Sequence, residues 1–134
     1  MQEKSLNSAE VKLFELNYDE VLKKLREYAE KAVAMGAEAV ILIGSLARGD
    51  YTAFSDADVI VIADDVPERP MDRPVKFMDP TLPLDVDVRV YTTVEFFRMA
   101  VERRKIIEEV VSCGKLLAGN AALMDRIRKL MDES

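Results

Sequence analysis

Histidine is missing from this chain, and cysteine occurs once, at Cys113. Without an imidazole there is no Ser-His-Asp triad, no histidine-ligated zinc and no histidine acid–base step near neutral pH. A lone thiol excludes an internal disulfide and makes the cytoplasm the expected compartment. It lies within Val110-Val111-Ser112-Cys113-Gly114, where a packed mid-helix thiol is expected rather than a nucleophile. Long apolar runs are lacking too. The strongest, around Ala39–Ile43, falls far short of a bilayer span. The opening Met1-Gln2-Glu3-Lys4-Ser5 has no signal-peptide core, so no membrane partner is expected. Positive charge is in deficit, with 19 Lys and Arg against 25 Asp and Glu and a net charge of -6. That argues against nucleic acid as the main ligand, since such binding rests on neutralising phosphates. Amides are scarce (Gln2, Asn7, Asn17 and Asn120) while 33% of residues are charged, a balance also seen in heat-adapted proteins.

What is present fits one domain with one ordinary core: 134 residues, 49% of them hydrophobic. Residues 8–16 are read as a short helix. Asn17 with Glu20 forms a capping pair for a better one, whose Tyr18, Val21, Leu22, Leu25, Tyr28, Ala29, Ala32 and Val33 recur at helical spacing up to a stop at Gly36. Ala39–Ile43 and Val59–Ala63 read as buried strands. All five prolines fall between Pro67 and Pro83, which marks a long connection rather than a domain boundary. A strand returns at Leu84–Tyr91, with Val86, Val88 and Val90 on one face and Asp85, Asp87 and Arg89 on the other. Thr92 with Glu95 is a second capping box. The spacing then predicts one long helix from about Val94 to Leu117, broken by Gly119, and a last helix capped by Asn120 with Leu123, Met124, Ile127, Leu130 and Met131 inward.

The chemistry concentrates between Gly44 and Asp58. Gly44 ends an apolar strand, where a glycine lets the chain turn sharply and brings backbone N–H groups close to an anion. Ser45 adds a hydroxyl, and Arg48, one turn on, carries a fork suited to phosphate. Alone, this is also how a plain strand-to-helix turn with a solvated arginine reads. Asp56 and Asp58, at i and i+2, share a strand face. Their mutual repulsion calls for a cation, and a hard ion such as Mg2+ takes oxygen ligands. Alone, such a pair also suits a polar strand entry. Asp85 and Asp87 form another same-face pair, equally compatible with a charged edge strand. If the strands share a sheet, the pairs meet, and three carboxylates can hold two metal ions for a phosphoryl displacement.

Taken in order, Gly44-Ser45, Asp56-x-Asp58 and the segment around Asp87-Val-Arg-Val-Tyr-Thr resemble the signature of the DNA polymerase beta-like nucleotidyltransferase superfamily, in particular its minimal prokaryotic branch. The resemblance spans about residues 20–98. It implies an α+β fold, a small mixed sheet flanked by helices, over 1–134, with a core of about 18–98 and a helical extension of about 94–132. It implies nucleotide binding by Gly44, Ser45 and Arg48, and a catalytic, two-ion Mg2+ site on Asp56, Asp58 and Asp87, with Asp85 as the alternative third ligand. ATP would be the substrate and its AMP the group moved to a hydroxyl. In that branch the partner is frequently a helical HEPN-type protein, some pairs being toxin and antitoxin, with AMP transferred to a toxin tyrosine. Two alternatives stand beside this: a non-catalytic antitoxin that binds by the apolar stripe of its C-terminal helices, and a small-molecule transferase of the aminoglycoside type, for which the chain is short unless a homo-oligomer completes the pocket.

Overall fold

The computed structural model describes residues 18–52 and 55–133. The short helix expected over 8–16 and the Asn17 cap lie outside them. Helix α1 (Tyr18–Ala34) precedes strand β1 (Ala37–Ile43), a single-turn helix α2 (Ser45–Arg48) and strand β2 (Ala57–Ala63). Two 3-10 turns, Pro70–Asp72 and Pro74–Phe77, break up the proline-rich connection to β3 (Val86–Tyr91). Then follow α3 (Thr93–Val101), α4 (Lys105–Cys113), β4 (Lys115–Gly119) and α5 (Ala122–Glu133).

The sheet order is β3-β2-β1-β4, with β1 antiparallel to both neighbours and β2 parallel to β3. It is therefore mixed, as expected. Strand alternation sorts its side chains onto two faces. Val40, Leu42, Val59, Val61, Val88 and Val90 pack under α1 against Leu25, Tyr28, Ala29 and Phe77. Ile41, Ile43, Ile60 and Ile62 face the other way, against Phe96, Ala100, Ile107, Val110 and Ile127 from α3, α4 and α5. Covered on both faces, β1 and β2 are continuous apolar runs over 39–43 and 59–63.

The single long helix expected from Val94 to Leu117 does not form, and the extension over 94–132 is not purely helical. Arg103 adopts a left-handed φ of 56°, which ends α3 and redirects the chain into α4. After Gly114 the chain is extended, and Leu116 and Ala118 pair with β1. No glycine or proline marks residues 101–104, so helical periodicity alone runs through the break. Satisfying the open backbone edge of β1 outweighs that local preference. Phe96 rather than Phe97 is the fully buried ring of α3. The second capping box is present: Thr92 Oγ1 accepts from the Glu95 N–H at 3.2 Å, and Glu95 Oε1 accepts from the Thr92 N–H at 2.9 Å. The Asn120 side chain accepts from the Ala122 N–H at 3.0 Å, opening α5 as expected. Cys113 is half-buried but closes α4 rather than sitting mid-helix, its thiol donating to the Glu109 carbonyl at 3.4 Å.

Arg73 holds the proline-rich connection. Its side chain is only 3% exposed. The guanidinium donates to the carbonyls of Pro67 (2.6 Å), Glu68 (2.8 Å) and Val90 (3.3 Å) and forks onto Glu95 at 2.6 and 3.2 Å. Across the connection, the Tyr28 hydroxyl donates to the Phe77 carbonyl at 2.6 Å. A segment with two short turns and no strand of its own is thus fixed to β3 and α3 through the Arg73 side chain and to α1 through the Tyr28 hydroxyl.

Candidate functional site

The hairpin register places Asp58 opposite Ile43, so Asp58 lies directly beside the turn that begins at Gly44. Gly44 has φ 79° and ψ -160°, a region essentially confined to glycine. A Cβ there would collide with the Asp58 carboxylate oxygen Oδ2. The glycine at the end of β1 therefore serves two ends, the sharp turn and the close approach of Asp58 to the backbone. The turn is braced from α1, where the Tyr18 hydroxyl donates to the Leu46 carbonyl at 2.8 Å and the ring stacks on Tyr51 with centroids 4.6 Å apart.

The parallel register of β2 and β3 pairs Asp58 with Asp87 and Ile60 with Arg89. Paired residues of neighbouring strands share a face, so Asp58, Asp87 and Arg89 project on the side of α3, α4 and α5. Asp56 precedes β2 and is exposed. The three aspartates singled out by sequence thus come to one end of one sheet face. Asp85 lies just before β3, exposed, with its backbone carbonyl accepting from the Ala57 N–H at 2.9 Å.

Burial pushes the Asp58 carboxyl above its ordinary range. Asp87, Asp56 and Glu109 push it the same way by repulsion, and Arg89 opposes them. Arg89 also reaches Asp87, at 3.7 Å, with both side chains about half exposed. Among the described residues no three carboxylates converge as a closed ligand cage in their present rotamers. In chemistry the donor set still fits a hard divalent cation: carboxylate oxygens only, like-charged, with Asp58 and Asp87 at paired register positions and one guanidinium in partial compensation.

Next to this carboxylate cluster lies a pair of donors already engaged by a carboxylate. The Gly44 N–H and Arg48 Nη1 converge on a single oxygen, Glu109 Oε2, at 2.8 and 2.9 Å. Arg48 Nε also donates to Asp50 at 3.2 Å. Ser45, half-buried, opens α2 beside them. Glu109 was not legible as part of this site. It follows Glu108 in an amphipathic stretch, and nothing local distinguishes the two until α4 is docked. An open groove of about 630 Å³, lined by Val75, Met78, Pro80, Leu82 and Pro83 together with Asp79 and Asp85, sits on the Val86 and Val88 side of β3, the sheet face opposite Asp58 and Asp87.

Solved structures share this fold. A chain from the structure of a toxin–antitoxin with AMP-PNP superimposes with a TM-score of 0.56 at 21% identity, over 81% of this chain and 85% of that one. A chain from a tri-AMPylated Shewanella oneidensis HEPN toxin in complex with MNT antitoxin gives a TM-score of 0.51 at 20% identity, over 87% and 85%. At such identities the likeness establishes the fold. No curated protein sequence matches the chain. Residues 20–115, which carry Gly44, Arg48, Asp56, Asp58 and Asp87, match the nucleotidyltransferase domain family, and the chain belongs to that family.

Proposed function

We propose that this protein is a Mg2+-dependent nucleotidyltransferase that moves AMP from ATP to a hydroxyl of a protein partner, as the antitoxin of a HEPN-type toxin. The carrying observation is the register that sets Asp58 beside Asp87 on one strand pair and beside the Gly44 turn on the other. Acidic and anion-binding groups thereby adjoin at one sheet end. The relatives with AMP-PNP and with an AMPylated HEPN toxin support the choice of nucleotide and acceptor.

In this reading Gly44, Ser45 and Arg48 grip the triphosphate. Asp56, Asp58 and Asp87 would hold Mg2+, which when bound supplies charge compensation for the carboxylates and the phosphates. Asp87 takes the proton of the acceptor hydroxyl as its oxygen bonds to the α-phosphorus. The bond from that phosphorus to the bridging oxygen breaks opposite, and pyrophosphate leaves with the electron pair. The products are an AMP ester and pyrophosphate. Little covalent help is required of the protein, so positioning by a rigid sheet carries the catalysis.

Label transfer tests this. The protein, Mg2+ and α-labelled ATP are incubated with lysate of the source organism, beside Asp56→Asn and Asp87→Asn variants. A protease-sensitive labelled band that vanishes in both variants is the expected result. Transfer undiminished in the variants would overturn the site, and a nuclease-sensitive product would overturn the protein acceptor.

A further inference from the structure

We infer that Glu109 is a built-in occupant of the triphosphate seat, a carboxylate that ATP must displace before it can bind. This rests on the nucleotide reading of Gly44 and Arg48. Both groups donate to one oxygen of Glu109, at 2.8 and 2.9 Å. One anionic oxygen shared by a backbone N–H and a guanidinium is what a phosphate oxygen offers. The Gly44 N–H is a single donor, so carboxylate and phosphate exclude one another there.

Glu109 can be displaced without disturbing the fold. Its neighbours Ile107 and Val110 are fully buried against the sheet and anchor α4. Its own side chain is 31% exposed and turns on flexible torsions. Expulsion moves its charge into solvent, while Arg48 keeps its second partner, Asp50. The contact also holds a further negative charge near Asp58, a placement that disfavours an incoming polyanion until Glu109 swings away. Nucleotide binding would therefore release the tie between α4 and the α2 turn.

A plain structural staple makes a different prediction. Removing it lowers the melting temperature and leaves phosphate affinity unchanged or weaker. The test is calorimetric titration of wild type, Glu109→Ala and Glu109→Gln with ATP and, separately, with inorganic tripolyphosphate. Tripolyphosphate should bind the alanine variant about tenfold tighter or more, the order expected from freeing two charge-assisted donors at a half-exposed site. Glutamine, which keeps an acceptor but no charge, should fall between. For ATP turnover the KM should fall by more than kcat changes. Equal or weaker binding by both variants, with wild type binding normally, overturns the inference alone. If alanine unfolds the protein, the glutamine variant decides by the same criterion. If no form binds ATP or tripolyphosphate, the nucleotide reading fails and the inference with it.

Discussion

Arg73 offers the sharpest test of what holds the proline-rich connection to the sheet and α3. Replacing it with methionine keeps much of the stem's volume and deletes every bond of the guanidinium. Three backbone carbonyls, those of Pro67, Glu68 and Val90, lose a donor, and Glu95 loses its fork. Breaking a buried ion pair from one side costs about 3–5 kcal/mol. Glu95 is 33% exposed while Arg73 is 3% exposed, so solvent returns part of that on the Glu95 side. The lower figure, about 3 kcal/mol, is then the expectation. For a chain of this size it corresponds to a melting temperature lower by about 10 °C. A pH signature goes with it. Hydrogen bonds from Arg73, and secondarily from Thr92, hold the Glu95 carboxyl below its ordinary value of 4.5. A depressed carboxylate contributes stability above its unfolded value and loses it as pH falls through the folded one. The wild type should therefore weaken below about pH 4.5, and the acid limb of Arg73→Met should be shallower, since only the Thr92 bonds then hold Glu95 down. Urea unfolding from pH 3 to 7 measures both quantities. A loss below about 1 kcal/mol, the range of exposed pairs, or an unchanged acid limb would refute the reasoning.

Further outcomes follow from the site. Gly44→Ala forces a side chain into a glycine-only conformation and against Asp58, so it should cost at least about 1–3 kcal/mol and abolish transfer; chemical denaturation and label transfer check it. Asp58→Asn should raise the melting temperature in metal-free buffer at pH 7. Because the folded pKa is raised, ionised Asp58 opposes folding above its unfolded value, and wild type should regain that stability as pH falls through the folded pKa. A lower melting temperature for the variant would contradict the repulsion described. Tyr28→Phe leaves the Phe77 carbonyl without its donor and should cost about 1–2 kcal/mol in urea unfolding. The Tyr28 phenol, pushed to about 12 chiefly by burial, should stay protonated in a spectrophotometric titration to pH 10.5 or so, one and a half units below that value.

Much of this was legible in the sequence because local and global preferences agree. Val86, Val88 and Val90 alternate with Asp87 and Arg89, and one face of β3 is indeed apolar and the other charged. Thr92 and Glu95 mark a helix start through a bond that depends only on their spacing. The Gly44 turn and the Asp58 entry sit next to each other in the chain and in the hairpin. What stayed hidden is non-local. The segment Leu116–Ala118 is apolar at a spacing that suits a helix, and it becomes a strand only because β1 presents an unpaired edge. Glu109 joins Gly44 across 65 residues of chain, and Arg73 joins Glu95 across 22. Contacts at that separation leave no periodic trace.

The pairing of β4 with β1 also bears on how the chain is made. A central strand of the sheet, with Ala39–Leu42 fully shielded, is finished on one side by residues that leave the ribosome 73 to 80 positions later. Gly119 allows this late closure, since any side chain there would strike the Glu38 carbonyl. Until it arrives, the nascent chain displays an apolar strand with an open edge, the kind of surface that seeks a second copy of itself. A chain stopped after Gly114 should accordingly be recovered in inclusion bodies, even though it retains every residue assigned to the site.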